Sequence, residues 1–251
     1  MNLKENERID DLEYNNLKII QNDKGFCFGI DSVLISDFAK DIKYNTVGAD
    51  LGTGTGIISI LLASKTNLSK IYGVEIQEEV ANMAKRSVEL NELQNKIEII
   101  NMNIKEIIKN KNLEELKRES FDFIVTNPPY KKIDTGKVNE SEYKYISRHE
   151  VTASLENFIE ASKILLKDKG WFYMVHRPER LVDILTIMRK YKLEPKKLRF
   201  VHSTEGKEPT LVLIKAVKNA REFLKIEKPL IIYNKDGKYT DEILKIYGEK
   251  E

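Results

Sequence analysis

The chain has 251 residues, 41% of them hydrophobic and 8% aromatic, which suffices to bury the core of one elaborated α/β domain and excludes wholesale disorder and collagen-like or coiled-coil order. Lysine and arginine total 42 against 40 aspartate and glutamate, so the net charge of +2 announces no polyelectrolyte partner by itself. No apolar run approaches the roughly 18 residues of a membrane span, the N-terminus MNLKENERIDDLEY lacks the apolar core of a leader, and one cysteine cannot form an internal disulfide, so a cytoplasmic protein is expected.

Short β-rich runs alternate with amphipathic helices along the chain. After an N-terminal section (Leu17 to Asp31), Thr46 to Leu51 reads as a buried strand and IISILLASK as the helix after it. Ile71 to Ile76 and Lys96 to Asn101 are the next strands, each followed by a helix, Gln77 to Asn91 and Ile104 to Arg118. Phe121 to Thr126 is a fourth strand, stopped by Asn127-Pro128-Pro129-Tyr130. A polar, irregular stretch from Lys131 to about Glu150 precedes a helix (Ser154 to Lys167) and the strand GWFYMVH. Lys197 to His202 and Thr210 to Val217 complete seven strands, and the tail PLIIYNKDGKYTDEILKIYG reads as strand, turn and short helix. Strands too apolar to face water predict a mainly parallel sheet with helices on both faces, whose ligands lie at the carboxyl ends of the strands. One domain over 1–251 is expected: a cofactor- and substrate-side extension over 1–44, a catalytic core over 45–218 and a tail over 219–251.

The first core strand runs into Asp50-Leu51-Gly52-Thr53-Gly54-Thr55-Gly56 and then directly into a helix. Glycines there allow left-handed backbone and close approach to a flat or extended ligand. The dinucleotide fingerprint GxGxxG needs its third glycine where Ile57 stands. With the leading Asp50, the segment instead resembles motif I of class I methyltransferases that use S-adenosylmethionine. Glu75, 19 residues after Gly56 at the tip of the second strand, suits a bidentate acceptor for two ribose hydroxyls, and its bland alternative is a surface carboxylate opening a helix. In that class an acidic residue commonly meets the cofactor's adenine amine after the third strand. Asn103 stands there, able to accept the same bond through its amide oxygen or simply to cap the following helix.

Asn127-Pro128-Pro129-Tyr130 is the most specific feature. Two prolines fix the backbone just beyond a strand, so the Asn127 amide and the Pro128 carbonyl can converge on one amine. The amine of adenine is a poor nucleophile because its lone pair is delocalised into the ring. Two acceptors on its two hydrogens favour a pyramidal nitrogen that can attack a sulfonium methyl in line, without a metal or a covalent intermediate. Tyr130 would stack on an extruded or unpaired base.

These residues, with Gln21 and GFCFGIDSVLISDF (Gly25 to Phe38), resemble the bacterial tRNA adenine amino-methyltransferases, and most closely those acting on the adenine 3′ to the anticodon of a valine tRNA. Arg148-His149-Glu150, HRPERL (His176 to Leu181) and the closing tail extend the resemblance over nearly the whole chain. It implies a Rossmann-like class I methyltransferase fold, S-adenosylmethionine as cofactor, an adenine in a single-stranded tRNA loop as target, and Phe28 and Gly29 as floor near the cofactor's methionine end. Catalytic roles then fall to Asn127, Pro128 and Tyr130, and cofactor binding to Asp50, Gly52, Gly54, Gly56, Glu75 and Asn103.

Other residues read less sharply. Cys27, between Phe26 and Phe28, suits a small buried hydrophobe better than a nucleophile. His149, His176 and His202 lack the spacing of a local metal motif, so no metal is expected. From His176 onward 18 Lys and Arg face 12 Asp and Glu, and the densest block, Arg189, Lys190, Lys192, Lys196, Lys197 and Arg199, is either a nucleic-acid footprint or a solvated helix end. Lys131, Lys132, Lys137, Lys144, Arg148 and His149 form a second candidate RNA face. Methylation of a protein glutamine uses the same Asn-Pro-Pro-Tyr chemistry, but that family carries a separate helical domain ahead of the glycine motif. Methylation of rRNA or DNA amines, dinucleotide-dependent oxidoreduction and RNA binding without catalysis complete the alternatives.

Overall fold

The computed structural model describes residues 3–25, 29–130 and 153–249. In chain order the elements are β1 (Glu7–Asp11), β2 (Lys18–Asn22), α1 (Ile30–Phe38), β3 (Val47–Leu51), α2 (Ile57–Lys65), β4 (Lys70–Glu75), α3 (Glu78–Leu90), β5 (Ile97–Asn101), α4 (Ile104–Lys109) and β6 (Phe121–Thr126). Then come α5 (Leu155–Leu165), β7 (Leu166–His176), a short 3-10 turn (Pro178–Arg180), α6 (Leu181–Lys190), β8 (Leu193–Thr204), β9 (Pro209–Lys218), β10 (Lys225–Ile226), β11 (Leu230–Tyr233) and α7 (Asp241–Ile246).

The main sheet has nine strands in the order β10-β8-β9-β7-β6-β3-β4-β5, with β11 also paired to β8. The seven expected core strands are all present. The two short strands β10 and β11 extend the β8 edge, and β9 is antiparallel to both of its neighbours. Strand residues alternate between two cores. Val125, Tyr173 and Val175 pack with α1, α2 and α3 on one face, while Ile124, Phe172 and Met174 pack with α4, α5 and α6 on the other.

Local chemistry sets the ends of the elements. Ser154 caps α5 in a reciprocal box with Asn157, and Thr240 caps α7. The helix expected to reach Arg118 stops at Lys109, where Asn110 turns extended. Arg118 folds back instead, its guanidinium donating to the carbonyls of Ile107 and Ile108 that the shortened helix leaves open. β8 and β9 run longer at both ends than the sequence pattern indicates, because each pairs with the other along nearly its full length.

The hairpin β1–β2 is separate from the main sheet and lies on α3. Ser87 accepts from the Ile20 amide at 2.9 Å, Asn91 exchanges bonds with the Lys18 backbone, and Arg86 pairs with Glu7. At the other end of the chain, α7 is tied in by Lys65, which donates to the Ile246 carbonyl at 2.6 Å. No described helix is long and apolar enough to cross a membrane.

Candidate active site

The carboxyl ends of β5, β4, β3, β6 and β7 lie side by side, and each delivers polar groups to one edge of the sheet: Asn103, Glu75, Asp50 with the glycine turn, Asn127 with Tyr130, and His176. The strand ends are cross-tied. Thr126 donates through its hydroxyl to the Leu51 carbonyl at 2.7 Å, and the amides of Gly52 and Thr53 both donate to the Val74 carbonyl.

Gly52, Gly54 and Gly56 all take left-handed backbone, with φ of 77°, 58° and 92°. A Cβ built on Gly54 would meet nothing within 4 Å, so that turn borders open space. Beneath it Asp50 is fully buried. Its Oδ2 accepts from the hydroxyls of Thr53 (2.6 Å) and Ser59 (3.0 Å), whereas its Oδ1 has no hydrogen-bond partner among the described residues. Burial pushes the Asp50 carboxyl up to about 6 against the pull of those two hydroxyls, and nearby Glu75 pushes the same way. Glu75 is also buried, and burial raises its carboxyl although the backbone amides of Gln77 (2.9 Å) and Gly54 (3.1 Å) donate to it. Asn103 takes the capping role at the start of α4, its Oδ1 accepting from the Lys105 amide at 2.9 Å. The neighbouring Asn101 holds the backbone beside Glu75, donating to the carbonyls of Glu75 and Ile76.

Asn127 is held from two sides. Its Nδ2 faces Ser32 Oγ at 3.4 Å and its Oδ1 lies 2.7 Å from the Tyr130 hydroxyl. That hydroxyl is also 2.6 Å from Asp31 Oδ2. Burial, the Asp31 charge and the bond to it all hold the phenol protonated, far above its ordinary range. The Tyr130 ring rests against His176, with centroids 5.0 Å apart, and the exposed Arg177 sets its guanidinium 5.2 Å from the ring centroid. His176 is wholly buried. Its Nδ1 accepts from the Arg177 amide and its Nε2 has no partner among the described residues, while burial and the charge of Arg180 push the imidazole down to about 4. Its proton therefore sits on Nε2.

The strand ends thus bring together Asp50, the glycines, Glu75, Asn103, Asn127, Pro128 and Tyr130. Gly29 precedes α1, and a Cβ on it would collide with Asp31 Oδ1, so its lack of a side chain makes room for that carboxylate. Phe28, Cys27 and the whole stretch Lys131 to Glu150, with Lys131, Lys132, Lys137, Lys144, Arg148 and His149, lie outside the described residues. Asp31, Ser32, Thr53, Ser59 and His176 join the site without having been assigned a role from sequence. Asp31 and Ser32 stand in a segment that carried only the resemblance, and the one available signal was an acidic residue in an otherwise apolar run.

The basic block is largely neutralised within the fold. Arg189 pairs with Glu194 and Glu222, Lys190 with Glu156, Lys197 with Glu227 and Arg199 with Glu242, while Lys196 donates to the Arg221 carbonyl. Among the described residues no group of three or more His, Cys, Asp or Glu could hold a metal ion.

The sequence model of the methyltransferase small domain matches residues 29–191. Among curated proteins, the chain is similar to the "tRNA1(Val) (adenine(37)-N6)-methyltransferase" of Porphyromonas gingivalis, 26% identical with 87% of this chain and 86% of that one covered. The protein of the same name from Haemophilus influenzae is also 26% identical, over 91% of this chain and 92% of its own. Among solved structures, a "predicted O-methyltransferase" from Agrobacterium tumefaciens superposes with a TM-score of 0.70 at 20% identity, covering 87% of this chain and 95% of that one. M. jannaschii TYW2 in complex with AdoMet gives 0.57 at 15% identity, covering 86% and 88%. At these identities the solved structures speak to the fold alone.

Proposed function

The chain belongs to the methyltransferase small domain family, and from that premise we propose that it transfers a methyl group from S-adenosylmethionine to the exocyclic amine of an adenine in tRNA, beside the anticodon. The observation that carries this reading is the placement of Asn127-Pro128-Pro129-Tyr130 at the end of β6, next to the glycine turn of β3 and tied to it through Thr126. The names of the curated relatives support the same substrate.

The residues present fit the cofactor. Asp50 Oδ1 is a buried acceptor awaiting a donor, Gly54 borders open space, and Glu75 offers a second buried carboxylate at the next strand end. Two carboxylates suit an ammonium group and a ribose diol. A dinucleotide's pyrophosphate at this turn would instead meet the Asp50 charge. Asp50, Gly52, Gly54, Gly56 and Glu75 would hold S-adenosylmethionine, with Asn103 at the adenine side and Gly29, beside Phe28, at the methionine side. When bound it supplies an electrophilic methyl on sulfur.

The chain's own groups do the remaining work. Asn127 Oδ1 and the Pro128 carbonyl accept the two hydrogens of the target amine and direct its nitrogen lone pair out of the ring plane, a matter of positioning and preorganised dipoles. The Tyr130 ring, backed by His176, offers the face on which a single-stranded base stacks, and the exposed Arg177 beside it, which donates to the Thr210 carbonyl at 3.0 Å, would exchange that bond for a phosphate. On this reading the protein acts in the cytoplasm, where its tRNA is, and the full chain works as one domain.

Radiolabelled methyl transfer offered in parallel to unmodified tRNA, ribosomal RNA, duplex DNA and release factor tests the proposal. Label is expected in tRNA, as N6-methyladenosine on nucleoside analysis. Label confined to release factor would replace the adenine by a glutamine amide.

A further inference from the structure

The phenolic hydrogen of Tyr130 has two claimants. Its oxygen lies 2.6 Å from Asp31 Oδ2 and 2.7 Å from Asn127 Oδ1, and a phenol donates only one hydrogen. Pointed at Asn127, it takes one of the two lone pairs of the amide oxygen and draws electron density from the acceptor that the target amine needs. The phenolic oxygen then faces a bare carboxylate oxygen at 2.6 Å, which is repulsive while Asp31 is ionised. Pointed at Asp31, it forms a charge-assisted bond, roughly twice as strong as a neutral one, and leaves Asn127 Oδ1 without a donor on that side.

Asp31 is built to make this claim. It stands in the first turn of α1, is buried, and has its other carboxylate oxygen in the space that Gly29 leaves by having no Cβ. The next residue of the same helix, Ser32, faces the nitrogen of the Asn127 amide, so one helix addresses both ends of that amide, Ser32 directly and Asp31 through Tyr130. We propose that Asp31 is a positioning residue: by taking the Tyr130 hydrogen it leaves the Asn127 amide oxygen undivided, a stronger acceptor for the target amine. This rests on the amine-methylating role of Asn127.

A double-mutant cycle in single-turnover methyl transfer from radiolabelled S-adenosylmethionine to saturating unmodified tRNA tests it. Asp31→Ala leaves the hydrogen only Asn127 to bond, and is expected to slow the chemical step at least tenfold while RNA and cofactor affinities stay within threefold. In Tyr130→Phe, which keeps the ring but has no hydrogen to misdirect, adding Asp31→Ala is expected to change the rate less than twofold. Should Asp31→Ala fail to fold, Asp31→Asn preserves the shape with a weaker acceptor. It is expected to slow transfer at least threefold, and that loss should likewise vanish in Tyr130→Phe. Equal slowing in both backgrounds, or no slowing in either, would overturn the proposal and leave the role of Asn127 standing. A near wild-type rate in Asn127→Ala would overturn both.

Discussion

Asn127 and Glu75 occupy nearby strand ends but answer to different partners, and their variants should separate accordingly. Asn127→Ala is expected to lower single-turnover methyl transfer by two or more orders of magnitude while S-adenosylhomocysteine affinity, measured by calorimetry, stays within several-fold. Glu75→Ala should weaken that affinity first, and unchanged binding in the folded variant would place the ribose elsewhere. Asp50 adds a dependence on pH. Its carboxyl, held up at about 6 by burial, is mostly protonated in the free protein below that value. A ligand donor on Oδ1 favours the carboxylate, so binding below pH 6 must first release a proton. Affinity should therefore fall as pH drops through about 6, by up to about tenfold per pH unit, and level off above pH 7. Calorimetry at pH 5 and 7 should show a roughly tenfold difference; a flat profile would mean that Oδ1 does not meet the ligand. The same shift acts on folding: a raised carboxyl favours the native state below its unfolded value, and that contribution is lost as pH rises through about 6. His176, held down at about 4, runs the other way, its contribution present above pH 6.5 and lost as pH falls toward 4. The two offset each other across nearly the same window.

At the scale of elements, the glycine turn between β3 and α2 combines a conformational demand with an empty foreground. Gly54 has φ of 58° and no atom within 4 Å of a would-be Cβ. Gly54→Ala should therefore cost only the left-handed backbone penalty, about 1–2 kcal/mol, or a few degrees of Tm. Because the new methyl enters the space the cofactor would use, S-adenosylhomocysteine affinity should fall more than tenfold. Calorimetry set beside thermal melting distinguishes this from general destabilisation. Helix α1 is the contrasting element, for its functional side chains carry no periodic signal. Asp31, Ser32, Val33, Leu34, Ile35 and Ser36 are all buried, so no polar face marks it as a helix against a core.

At the scale of the whole molecule, charge is arranged so that the most basic segment is not the freest. Arg189, Lys190 and Lys192 stand where α6 ends and β8 begins, at the amino edge of the sheet, and the carboxylates of Glu156, Glu194, Glu222, Glu227 and Glu242 meet most of the block. Lys196→Glu with Lys197→Glu should leave tRNA affinity within about twofold and its slope against salt unchanged, since few condensed counterions are released there. A markedly shallower slope would return the block to the RNA face. Arg177, exposed beside Tyr130 at the carboxyl edge, is the better candidate from the described residues, and Arg177→Ala should lower affinity.

The sequence by itself determined the order of the seven core strands, the sheet edge at which ligands gather, and the residues whose chemistry is local. A glycine turn after the first core strand, a carboxylate at the tip of the second and Asn-Pro-Pro-Tyr after the fourth announce themselves because neighbours in the chain define them. Only the tertiary structure decided what depends on distant segments. Arg118 satisfies the last carbonyls of α4 from 11 and 10 residues away, and Glu222, Glu227 and Glu242 come from the C-terminal segment to quench the basic block. The two acceptors of the Tyr130 hydroxyl lie 99 and 3 residues from it along the chain. Hydrogen-bond competition is a property of positions to within a few tenths of an ångström, and no periodicity or motif in a chain encodes it.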